Sequence, residues 1–284
     1  MKRTRPFGIL IATLLLLVSL LGSGCSSPNT ENATASTAET ADTTNYDLRI
    51  AVLPTLEALP IYYAKQAGIF DSLGITVEIL PYTAQFDCDT ALLNKAADVC
   101  MMDHTRYADY RSKGHAISAQ LNIKTRYALV ASKDINAKNV RDLNNLTIAI
   151  SRTSDAEAFA FHAVEASGLK RKDVHYPQIN DIWLRASMLT NHQVDAAVLP
   201  QIQAILAELN GHHLLNSKNI TPDACMQLVY PSSSTKIDKI MLLAEAYELG
   251  ETQISKNLSS CRNILIKEYK ISESKTDSII KRLR

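Results

Sequence analysis

Residues 82–93, YTAQFDCDTALL, place two carboxylates and a thiol, Asp87, Cys88 and Asp89, at consecutive positions. Several chemistries are open to such a triplet. A carboxylate in the first turn of a helix accepts otherwise unpaired amides, a role worth about 1 kcal/mol. Turned outward, Asp87 and Asp89 would instead meet a cationic or hydrogen-bond-donating ligand. A thiol with a base in reach can be a nucleophile, and His104 is the candidate base for Cys88. In an oxidising compartment the thiol enters a disulfide. A second cluster, Ser151-Arg152-Thr153-Ser154, joins a guanidinium to hydroxyls ahead of a predicted helix, which suits a carboxylate, sulfonate or phosphate. Its plainer alternative is that Thr153 or Ser154 only caps the helix while Arg152 points to water. Trp183, the single tryptophan, either stacks on a ring or packs in a core. Tyr62 and Tyr63 are expected to split between cleft and core, and His212 and His213 to sit on a solvated turn. There is no CxxC or HExxH pattern, so neither a metal nor a cofactor is expected.

The elements that must position these residues alternate. Strand-like runs fall at 48–53, 75–80, 97–102 and 115–121, and helical runs lie between them, one opening near Pro60 and closing at Gly68. After an extended run at 127–131 a second series follows, with strands at 147–150, 174–179 and 196–199 and helices at 154–166, 181–190 and 201–209. An extended run at 224–230 precedes helices expected at 235–249 and 252–269 and a short final one; on the second of these Ile254, Leu258, Cys261, Leu265 and Tyr269 share a face. This grammar predicts an α/β fold with mainly parallel sheets flanked by helices. Ligands of such sheets bind beyond the carboxyl ends of strands, where helix amides are unpaired. The candidate ligand contacts are therefore the strand-to-helix junctions: Pro54, Thr55, Glu57 and Leu59; Gln85, Phe86, Asp87 and Cys88; Asp103 and His104; Ser151, Arg152, Thr153 and Ser154; Asn180, Asp181 and Trp183; Pro200 and Gln201. The acidic Glu57, Asp87, Asp89 and Asp103 and the basic Arg152 suggest a small ligand with a donor-rich or cationic end and an anionic or polar end, such as a pyrimidine-like or amino-acid-like compound.

The first 24 residues read as an export signal: Lys2, Arg3 and Arg5 precede an apolar run from Phe7 to Leu21. Leu21-Gly22-Ser23-Gly24-Cys25 is similar to a bacterial lipobox, making Cys25 the candidate lipid anchor, with a Ser/Thr/Ala/Asn-rich tether at 25–45. Without the three basic signal residues the chain has 27 basic and 29 acidic residues, a formal charge of −2, and nothing suggests nucleic acid as a partner. Cys88, Cys100, Cys225 and Cys261 allow three disulfide pairings, of which Cys88–Cys100 with Cys225–Cys261 is preferred.

Residues 53–79, with Pro54, the helix Ala64-x-x-x-Gly68-x-Phe70 and then Gly74-Ile75-x-Val77, resemble the opening of periplasmic solute-binding proteins of the aliphatic-sulfonate, nitrate and thiamine-pyrimidine-precursor group. Ala97-Asp98-Val99 and Asp142-Leu143 ahead of Thr147-Ile148-Ala149 extend the likeness, which spans about 48–209. Asn144-Asn145-Leu146 departs from the group's usual Lys-Gly-Lys, and Asp103-His104 from a small residue and Pro. The resemblance implies the two-domain type II periplasmic-binding fold, with one domain of 46–126 plus 224–284, another of 127–223, and two crossing hinge strands near 127–131 and 225–230. It implies a monomeric, lipid-anchored protein of the bacterial envelope, facing the periplasm or cell exterior, that delivers a small molecule to an ABC permease and catalyses nothing. The alternative is an enzyme of the same fold, akin to a pyrimidine-precursor synthase or a menaquinone-pathway dehydratase.

Overall fold

Leu48, Ile50, Ala51 and Val52 are fully buried because β1 (Leu48–Val52) is an interior strand, paired on both sides and covered on both faces. A computed structural model describes residues 45–215 and 224–283. The expected signal at 1–24, the Cys25 anchor and nearly all of the tether at 25–45 lie outside the described residues.

From β1 the chain enters α1 (Leu59–Gln66), with Pro60 in the first turn where no amide donor is needed. Gly68, at φ 69°, turns it into α2 (Ile69–Ser72). Then follow β2 (Val77–Pro81), α3 (Gln85–Leu93), β3 (Val99–Asp103), α4 (His104–Ser112) and β4 (Ile117–Lys124). A second series runs β5 (Tyr127–Ala131), β6 (Ile148–Ala149), α5 (Asp155–Ala166), α6 (Ile182–Thr190), β7 (Ala196–Pro200), α7 (Gln201–Leu209) and β8 (His213–Leu214). The chain returns as β9 (Cys225–Pro231) and closes with α8 (Ile237–Lys256), α9 (Arg262–Lys267) and α10 (Glu273–Leu283).

Two sheets result, ordered β2-β1-β3-β9-β4 and β6-β7-β5-β8. Pairing is parallel between β1 and β2, β1 and β3, and β6 and β7, and antiparallel elsewhere. The sheets are thus mixed rather than mainly parallel, because the returning β9 wedges between β3 and β4 against both. The chain passes between sheets at 125–126, where Thr125 N donates to Ala224 O, and returns across 216–223, outside the described residues. The strands expected to cross, at 127–131 and 225–230, each belong to one sheet only.

The expected strand at 174–179 is reduced to parallel bridges at His175 and Gln178, since Pro177 between them has no amide to donate. The expected break near residue 250 is absent. Instead α8 runs through Gly250, where a Cβ would lie 2.7 Å from Pro60 O; the glycine serves close packing of α8 on α1 rather than helix termination. His212 is buried, its Nδ1 accepting from Lys133 N at 3.2 Å, whereas His213 is exposed.

Candidate functional site

Residues just beyond the strand ends of both sheets line one inner space: Leu53 after β1, Asp103 ending β3, Ser151 after β6 and Pro200 ending β7. Thr55, Gln85, Ser154, Asn180, Tyr127 and Arg185 complete its polar lining. Its volume is about 20 Å³, room for a single water. The two halves are therefore closed on each other, and polar bonds stitch the seam. The Asp103 carboxylate caps α4, its Oδ1 accepting from Arg106 N at 3.0 Å and, across the seam, from Asp155 N at 3.2 Å. Asp155 answers: Oδ1 accepts from Thr105 N at 3.0 Å and Thr105 Oγ1 at 2.6 Å, and Oδ2 from Cys225 N at 3.0 Å. A second crossing joins Thr83 to Asp181, hydroxyl to carboxylate at 2.5 Å, with Ile182 N donating to Thr83 O.

Burial, with Asp155 beside it, pushes the Asp103 carboxyl up to about 8. Both of its accepted bonds fall on Oδ1, so Oδ2 can carry the proton without losing either. Asp89, expected as a helix cap or ligand contact, is neither. It sits inside α3, fully buried, and its Oδ2 pairs with the Arg106 guanidinium while Oδ1 accepts from Gln85 Nε2 at 2.9 Å. Burial raises its carboxyl despite that partner. Glu57 is likewise buried and raised by desolvation. Of the presumed acidic wall, Glu57, Asp89 and Asp103 are buried and Asp87 is exposed.

Arg106 and Arg185 are cations that sequence reasoning missed. Arg185 is buried in α6, with Nε donating to Val198 O at 2.8 Å and Nη1 to Ile179 O; desolvation lowers it to about 10, still charged near neutrality. Its signal was present: Ile182, Arg185 and Leu189 form the buried stripe of that helix, and an arginine within such a stripe needs a polar partner. Arg106 also crosses the seam, donating from Nη1 to Arg152 O at 3.2 Å.

Of the expected contacts, Thr55, Gln85, Asp103, Ser151, Ser154, Asn180 and Pro200 line the inner space. The Arg152 side chain is exposed, so the anticipated guanidinium is on the surface, and Thr153, at φ 52°, is exposed with it. Ser154 caps α5 and donates to Ser151 O at 2.6 Å. Glu57, Leu59 and Gln201 border a separate hollow beside Tyr247. Phe86 and His104 are exposed, and Asp181 caps α6. Cys88 is fully buried, which removes it as a nucleophile. Cys88, Cys100 and Cys261 carry unbridged thiols, so neither preferred disulfide forms. Burial, with Cys88 adjacent, raises the Cys100 thiol well above its ordinary value and suppresses the thiolate that exchange requires. Among the described residues no group of three or more His, Cys, Asp or Glu is placed to hold a metal.

Thr83, at the second crossing, also lines a separate chamber of about 690 Å³. Pro54, Tyr62 and Tyr82 form one side, Trp183 and Gln203 the other, and the segment from Glu268 to Lys275 closes the end. Tyr62 meets Tyr269 edge to face with ring centroids 5.8 Å apart. Two wall residues also hold the loop after β1: Gln203 Nε2 donates to Pro54 O at 2.8 Å and Tyr269 Oη to Thr55 O at 2.6 Å.

Solved structures share this fold at low identity. A ligand-binding component of an ABC-type import system from Staphylococcus aureus, with zinc bound, is 15% identical at TM-score 0.70, over 82% of this chain and 83% of that one. The alkanesulfonate-binding protein SsuA from Xanthomonas axonopodis pv. citri, bound to MOPS, is 14% identical at TM-score 0.68, over 82% and 83%. The periplasmic nitrate-binding protein NrtA from Synechocystis PCC 6803 is 14% identical at TM-score 0.65, over 80% and 68%. No curated protein sequence matches the chain. The NMT1/THI5-like family profile, however, matches residues 56–279, nearly the whole of both sheets and their helices, and the chain belongs to that family.

Proposed function

We propose that this protein captures a small polar organic molecule between its two halves and hands it to an ABC permease, without chemical turnover. The observation that carries the reading is the seam. Strand ends of two sheets face each other across breakable hydrogen bonds, Asp103 to Asp155 and Thr83 to Asp181, and the described chain crosses between them at 125–126. That is the arrangement a hinged clamp needs. The import-system, sulfonate- and nitrate-binding proteins of the same fold support it. In this reading 46–126 with 224–284 and 127–223 are the moving bodies, and residues 1–24 direct export. Cys25 then bears a lipid at the envelope, 25–45 is the tether, and the working unit is a monomer.

Native mass spectrometry of gently purified protein is expected to show a retained small molecule, with a smaller radius of gyration by scattering than the stripped protein. A rigid particle that neither retains nor binds any small molecule would count against capture. Conversion of a bound compound would favour the same-fold enzymes instead. Labelling with a palmitate analogue is expected to be lost in Cys25→Ala.

A further inference from the structure

We propose a second binding site, for an anion carrying a short aliphatic chain, in the hollow beside the chain passage at 125–126. It stands apart from capture at the seam and does not rest on it. The hollow encloses about 570 Å³, within the range of small-molecule sites. Gln201 alone among its described lining residues belongs to the second series, so its walls persist whether or not the two halves part.

Three features set the class of guest. Lys124, Arg126 and Lys256 border the hollow, all three exposed, and no side chain of the three has a hydrogen bond or ion pair among the described residues. Exposed cations elsewhere, such as Lys113, Arg171 and Arg282, each hold a carboxylate. The second feature is the weakness of the opposing charge. Of the two carboxylates at the hollow Glu251 is exposed, and Glu57 is buried where desolvation favours its neutral form. Positive charge therefore prevails there, and an anion offers the cations charge-assisted hydrogen bonds. The third feature is the apolar lining. Leu56, Leu258 and Leu283 are part-exposed while Tyr247 is buried, so the apolar surface open to a guest is aliphatic. A chain lying on those leucines removes apolar area from water on both sides.

Calorimetric titration of the full chain with octanoate, acetate and octylammonium separates charge from chain. Octanoate is expected to bind most tightly. Acetate, which lacks the chain, and octylammonium, which reverses the charge, are each expected to lose about tenfold or more. Lys124→Gln with Lys256→Gln, both exposed substitutions, is expected to weaken octanoate about tenfold, and Lys124→Arg with Lys256→Arg to preserve it. Leu283→Ser, in the last turn of α10, is expected to weaken octanoate about fivefold. Octanoate binding unmoved by the glutamine pair, or matched by acetate or octylammonium, would overturn the proposal, as would no octanoate binding at all. The two readings fail separately. Octanoate binding that follows the lysines, in protein that retains no molecule at the seam, would support this site while capture falls; a retained molecule with octanoate indifferent to the lysines would do the reverse.

Discussion

Asp89 and Arg106 make a buried ion pair in the layer of the first sheet, with only the arginine reaching the seam. Removing one partner strands the other charge in a poorly solvating interior, a loss of about 3–5 kcal/mol. Arg106→Ala is therefore expected to lower the urea midpoint strongly, whereas a surface change such as Arg152→Ala should leave it nearly unmoved. Asp103 gives a second prediction, set by Asp155, Arg106 and Asp89 around it. Because its folded pKa is raised to about 8, its proton stabilises the native state fully below about pH 4, the ordinary carboxylate range, and that contribution fades as pH climbs through about 8. Thermal melts should thus lose stability from pH 4 to 8, and Asp103→Asn should flatten the slope. At this scale the sequence was only partly legible. That Thr55, Gln85, Asp103, Ser151, Ser154 and Asn180 converge followed from their places after strands. That Asp89 turns inward could not be read, because its partner lies 17 residues away on the next helix.

Among the elements, α8 shows how local and tertiary signals diverge. A glycine in a helical pattern costs propensity and reads as an end, yet at position 250 it lets α8 approach the Pro60 carbonyl more closely than any side chain permits. Gly250→Ala gains helix propensity but forces backbone apart, with an expected net loss of about 1–3 kcal/mol by chemical denaturation. The strands of the first sheet were legible as apolar runs because burial on both faces demands them, as in β3, where all five residues are buried. The return of β9 into that sheet was not: where a strand inserts depends on a partner more than a hundred residues earlier in the chain. The exposed helical layer closing the chain was read with the right face, Ile254, Cys261, Leu265 and Tyr269 all buried, but with the wrong breaks, since those depend on packing.

For the whole molecule, closure rests on few bonds. The hydroxyls of Thr83 and Thr105 each reach a carboxylate of the opposite half, and each such bond contributes about 0.5–1.5 kcal/mol. Thr83→Val with Thr105→Val is expected to enlarge the ligand-free radius of gyration in small-angle scattering; an unchanged value would show that other contacts hold the seam. One further contact shapes any such motion. From α10, Lys275 reaches Asn210 and Arg282 reaches Glu208, both at the far end of α7. These are long, jointed stems with charged heads, and they can stay attached while the helices slide by a few ångströms. They would act as elastic check-reins: slack enough to let the jaws part for a guest, taut before the jaws gape, so that the width of the opening is written in the length of two side chains.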